Sequence, residues 1–208
     1  MSSQAGALGV SKKTGVYYDP VFLKILEDIP GGATVKMANI PTNVYELRAG
    51  TLLQEDATTA GLFNPIKTAK STSTQTAATS ITVEQTDPDK VLFKVGEYIA
   101  VVGKTTGSTI TVITQTAGTT QTIVTGTALG TLATASVVNQ VSAAGATTKL
   151  YTADSILRDT IRCRENDGTT LQNVGAGAVV RGTVDESELP YSVETADKTA
   201  LTARIRFA

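Results

Sequence analysis

The side chains that most often carry chemistry are scarce. The chain has no histidine and a single cysteine, Cys163. Without imidazole, no Ser-His-Asp or Cys-His triad can be assembled, nor any histidine-ligated zinc, copper or haem site. One cysteine also excludes an internal disulfide framework. Acid–base work would fall to carboxylates or lysine. Two acidic groups stand out. Asp87-Pro88-Asp89 holds its carboxylates across a proline, which favours a tight turn over the separated pair of a glycosidase. Asp185-Glu186-Ser187-Glu188 offers oxygen ligands but lacks the glycine turn and ligand spacing of a calcium loop, and reads as a solvated turn. Gly103-Lys104-Thr105 has only the tail of a phosphate-binding loop and reads as a β-turn. These residues predict no enzyme, no cofactor and no metal centre.

Contacts with a partner are better served. Arg158, Arg162, Arg164 and Arg181 concentrate positive charge late in the chain. On a strand, Arg162 and Arg164 share a face, from which they can grip acidic residues of another chain or pair across strands with Glu165 or Asp185. Cys163 then points the other way, as a small buried apolar residue. Near the N-terminus an apolar cluster runs from Val16 to Ile29. Pro20 suits the first position of a short helix capped by Asp19, with Val21, Phe22, Ile25 and Leu26 on one face and Pro30-Gly31-Gly32 ending it. Such an arm docks on a partner or packs on the protein's own core. The candidate partner-binding residues are Tyr17, Tyr18, Phe22, Arg162, Arg164 and Arg181.

The elements that must position them are mostly strands. Among 208 residues, 41% are apolar, 18% charged and 5% aromatic, and 36 are threonine. Threonine is stiff at its first side-chain torsion and prefers the pleated sheet. Alternation is read at 34–40, 44–48 and 51–53, and then at 81–83, 91–93, 98–102, 109–113, 122–124 and 135–138, with turn residues between. The run Ser71 to Ser80 reads as a linker or as a strand exposed on one face. Further strands are expected at 156–164, turning at Asn166-Asp167-Gly168, and at 177–184 and 204–207, with a short helix from Thr195 to Ala203 capped by Thr195. The expectation is a mainly β protein of small antiparallel barrel or sandwich domains, with an N-terminal arm and one or two short helices. Its divisions are an arm (1–33), a base β-domain formed by 34–70 and 143–208, and an inserted threonine-rich β-domain (71–142) that projects from it. A net charge of −1 gives no field for a nucleic-acid backbone. No membrane span or secretory signal is read, so a soluble, cytoplasmically made protein is expected.

Three segments resemble tailed-phage head decoration and head-fibre proteins. Val179 to Tyr191, followed by a short helix and Arg204-Ile205-Arg206-Phe207, is similar to the closing segment of that family, where an R-G-x-V strand runs into an L-P-Y turn. This chain has Ser192 where the family has a second proline. Phe93 to Ile99 resembles the entry of β-domains inserted in such virion proteins, and Leu47 to Leu53 resembles one of their strands. The resemblance implies a structural virion protein, made in the bacterial host's cytoplasm and mounted on the capsid exterior. It implies attachment to the major capsid protein, commonly as a homotrimer or as the base of a head fibre, with other fibre proteins or host-surface glycans as further partners. A carbohydrate- or surface-binding β-module is the competing expectation; its central stretch offers only Phe93 and Tyr98 as aromatic platforms.

Overall fold

The computed structural model describes residues 21–76, 79–84, 91–101, 105–117, 120–164 and 171–208. Its strands are β1 (Phe22–Asp28), β2 (Ala33–Val35), β3 (Glu46–Leu47), β4 (Leu52–Glu55), β5 (Leu62–Pro65), β6 (Thr68–Lys70), β7 (Ser80–Glu84) and β8 (Tyr98–Ala100). They continue with β9 (Ser108–Ala117), β10 (Thr120–Thr125), β11 (Val137–Val141), β12 (Ser155–Leu157), β13 (Ile161–Arg162), β14 (Val174–Ala176), β15 (Ala178–Val184) and β16 (Ile205–Phe207). A 3-10 turn at Glu186–Glu188 and one α-helix, α1 (Thr195–Leu201), lie between β15 and β16. The protein is mainly β, as its threonine content and alternation predict.

Two sheets carry most of the strands. The first runs β1-β15-β12-β4-β5-β2-β14, with β16 also joined to β15, and curls into a half-barrel. Its spine is β15, which pairs with β1 along one edge and with β12 and then β16 along the other. The β15–β16 and β2–β5 pairs are parallel, so the sheet is mixed rather than wholly antiparallel. The second sheet runs β6-β11-β8-β9-β10-β7. Its ends come together where Ser71 bridges to Val83 and Thr72 N donates to Thr82 O at 3.0 Å. The result is a small barrel whose closure removes its edges. Every barrel strand lies between Thr68 and Val141, and every half-barrel strand lies outside that stretch.

Period-two alternation explains the barrel wall. On β7, Ile81 and Val83 are buried with Thr82 between them; on β10, Gln121, Ile123 and Thr125 are buried and Thr120, Thr122 and Val124 only half-buried. Phe93, Ile99, Ile110 and Val138 complete the barrel core. The threonine-rich run before β7 belongs to the wall: Ser71 joins Val83, and Gln75 joins Leu132.

Several expected elements differ. Where a helix is expected between Pro20 and Pro30, Phe22–Asp28 form the strand β1, because hydrogen bonds to β15 satisfy its backbone and its apolar residues do not share one buried face. Residues 156–164 form two short strands, β12 in the half-barrel and β13 paired with β3, separated where Arg158 N donates to Gly177 O. The Asn166-Asp167-Gly168 turn lies outside the described residues. Residues 91–93 are buried without forming a strand. The helix α1 has Glu194, not Thr195, at its N-cap, with no side-chain capping bond. Strands β5, β6 and β14 form where the sequence carries no strand pattern.

Candidate interaction surface

Strand β1 is an edge. Among the described residues its one neighbour is β15, and its register is broken by irregularities. Phe22, Lys24, Ile25, Glu27 and Asp28 each face a β15 residue, whereas Leu23 and Leu26 have no opposite residue. A bulge re-aims the side chain it contains. Here that leaves Leu23 56%, Leu26 58% and Ile25 43% exposed. Three large aliphatic residues on one edge strand form an apolar surface of the kind that marks an interface.

The predicted site residues divide around this edge. Phe22 lies opposite Val184 and packs half-buried on the cluster of Ile156, Leu201 and Ile205, so it anchors the strand more than it presents it. Arg181 is exposed beside the edge, 4.0 Å from Glu27. Asp185 caps the 3-10 turn, its carboxylate accepting from Ser187 N at 2.9 Å. Arg158 holds the end of β1 through Asp28 and also binds Asp159; both carboxylates favour its charged form.

Arg162 and Arg164 lie away from the edge. Arg162 is opposite Glu46 on β3. Arg164 is engaged within its own chain: it lies over the Tyr45 ring, 5.4 Å from the centroid, and donates to Thr42 O. Tyr45 is 61% exposed, an outward aromatic that sequence patterning did not single out. Cys163 is fully buried, and burial pushes its thiol up to about 11. Tyr17, Tyr18, Asp87, Asp89, Lys104 and Glu165 lie outside the described residues.

Two polar junctions join barrel to half-barrel, one at each crossing of the chain. Lys67, between β5 and β6, is almost wholly buried; it pairs with Glu97 and donates to Asn39 O at 2.6 Å. Desolvation lowers its pKa against the opposing pull of Glu97. Lys149, between β11 and β12, pairs with the fully buried Asp197 of α1. Both lysines border one small pocket with Ile66, Asn139, Gln140 and Tyr151. Lysine type and spacing give no sequence signal for such burial.

A cleft of about 610 Å³ also opens between the sheets, bordered by Lys70, Glu84, Asp185, Glu186 and Tyr191. Lys70 and Glu84 pair across 3.3 Å. Phe93 belongs to the barrel core and Tyr98 is half-buried, so neither forms an open aromatic platform. Among the described residues, no helix is long and apolar enough to cross a membrane, and no group of three metal-ligating side chains is found.

Two of the segments that carry the sequence resemblance, Leu47 to Leu53 and Val179 to Tyr191, meet in space. Gly50, at φ +90°, sits so close to the turn after β15 that an added Cβ would approach Pro190 Cδ to 2.8 Å. Compared with protein-family models, curated proteins and solved structures, the chain has no match among them.

Proposed function

We propose that this protein is a non-enzymatic structural component of a tailed-phage head, bound to the capsid exterior through the major capsid protein as a homotrimer. The apolar edge strand β1 carries the reading. A closed barrel offers no backbone edge to neighbours, whereas β1 exposes Leu23, Ile25 and Leu26 beside Lys24 and Glu27. That combination suits a molecule anchored by its half-barrel with its barrel directed outward. A virion role also asks for persistence rather than turnover, consistent with a chain that has no histidine.

The test is attachment. Purified protein, mixed with heads lacking it, is expected to co-sediment with them and to show a trimeric mass in solution by light scattering. A monomer that leaves heads undecorated overturns the proposal. So does glycan-array binding that disappears in Tyr98→Ala while heads remain unbound.

A further inference from the structure

Lys149 and Asp197 meet where water hardly reaches: the lysine side chain is 9% exposed and the aspartate 0%. Holding an ammonium and a carboxylate apart as charges is costly in such a place. With the shared proton on the carboxyl, the pair is an amine and a carboxylic acid, the two reactants of amide formation. The aspartate is set up asymmetrically. Its Oδ1 also accepts the backbone N–H of Ala153 at 2.9 Å, while its buried Oδ2 has no hydrogen-bond partner. A backbone donor on Oδ1 stabilises the negative charge that develops when a nucleophile adds to Cγ.

A third group completes the arrangement. Glu194, the N-cap residue of α1, is 17% exposed in its side chain and places Oε2 3.8 Å from Lys149 Nζ. That oxygen too is buried without a hydrogen-bond partner. Burial raises the glutamate pKa, with Asp197 adding to the rise and Lys149 opposing it, which suits a group that takes up and returns a proton. The helix bearing Asp197 is fixed by Leu201, which packs in an apolar cluster with Ile66, Ala153 and Ile156.

We infer that Lys149 and Asp197 join in an intramolecular isopeptide bond after folding, with Glu194 as the proton carrier. Neutral Nζ attacks Cγ of the protonated Asp197, forming the C–N bond. Glu194 takes a proton from Nζ and delivers it to Oδ2, the Cγ–Oδ2 bond breaks, and one water leaves. No oxidant or other co-reactant is required. The bond ties residues 48 positions apart, stapling the return crossing from barrel to α1 in a chain with only one cysteine. The other buried lysine lacks these features. Glu97 receives Lys67 on one oxygen and Lys94 N at 2.9 Å on the other, so Lys67 remains in an ion pair. This inference does not depend on the proposed virion role.

Intact mass spectrometry of the denatured full chain tests it. The expected mass is lower than that of the sequence by one water, and a protease digest yields a branched peptide linking Lys149 to Asp197. Glu194→Gln, checked as folded by circular dichroism, is expected to keep the full mass, as is Lys149→Arg. A full wild-type mass after prolonged incubation overturns the bond. Water loss mapped to the Asp167-Gly168 pair, where a cyclic imide has the same mass, also overturns it. Equal water loss in Glu194→Gln overturns the role given to the glutamate.

Discussion

At the scale of single residues, burial decides which polar side chains matter. Lys67→Ala leaves the Glu97 carboxylate and Asn39 O facing an emptied interior, and breaking a buried pair by removing one partner costs about 3–5 kcal/mol. Lys70→Ala removes a pair whose members are 37% and 53% exposed, and the expected loss is below about 1 kcal/mol. Urea unfolding of the two variants should separate them clearly; similar midpoints would refute the structural role of Lys67. Glu194 gives a prediction in pH. Its folded pKa is raised above 4.5, chiefly by burial, so between 4.5 and that raised value the native state binds more protons than the unfolded chain. Stability from this group is complete below 4.5 and is lost as pH rises through the window. Glu194→Gln should flatten that part of the stability–pH curve. Cys163, buried and with its thiol raised to about 11, should react with a thiol reagent such as dithionitrobenzoate only after denaturant is added.

At the scale of elements, close approach between strands explains a glycine that composition leaves anonymous. Gly182 on β15 lies opposite Ile25 of β1 and Ile205 of β16, and an added Cβ would come within 2.5 Å of Lys24 O. Gly182→Ala must displace the β1 backbone, at an expected cost of about 1–3 kcal/mol, and should speed hydrogen exchange at Lys24 and Ile25. Gly175→Ala on β14, where a Cβ meets nothing within 4 Å, should stay within about 0.5 kcal/mol of wild type. The same contrast shows what could be read from sequence. Barrel strands β8 to β10 were legible because alternation and nearby turns encode hairpins locally. β1 was not, because the partner that makes it a strand is β15, close to the other end of the chain, and its isolated apolar spacing fits a helix equally well. The setting of Arg164 is hidden for a related reason: a strand pattern gives its face but not the Tyr45 ring that receives it. Neither buried lysine could be found by type or spacing, since each is buried only by the meeting of two sheets.

At the scale of the whole molecule, the two sheets manage their edges differently. The barrel closes on itself at Ser71 and Val83, whereas the half-barrel ends in β1, an exposed strand bearing uncovered aliphatic side chains. An edge of this kind is a pairing liability unless a neighbour covers it. Its own charges, Lys24, Glu27 and Asp28, and its bulges restrict which neighbour that is, favouring a shaped partner over indiscriminate strand addition. Leu23 and Leu26 separate attachment from folding, because neither has an opposing β15 residue and both are more than half exposed. The double variant Leu23→Lys, Leu26→Lys should therefore keep the wild-type melting temperature within a few degrees. If a partner buries what remains exposed of both leucines, each contributes about 1 kcal/mol to association, so the variant should weaken the proposed self-assembly and head binding by about thirtyfold. Light scattering and head co-sedimentation measure the two effects separately. Unchanged affinity in both would move the interface off β1, leaving Tyr45 and the cleft between the sheets as the surfaces to probe.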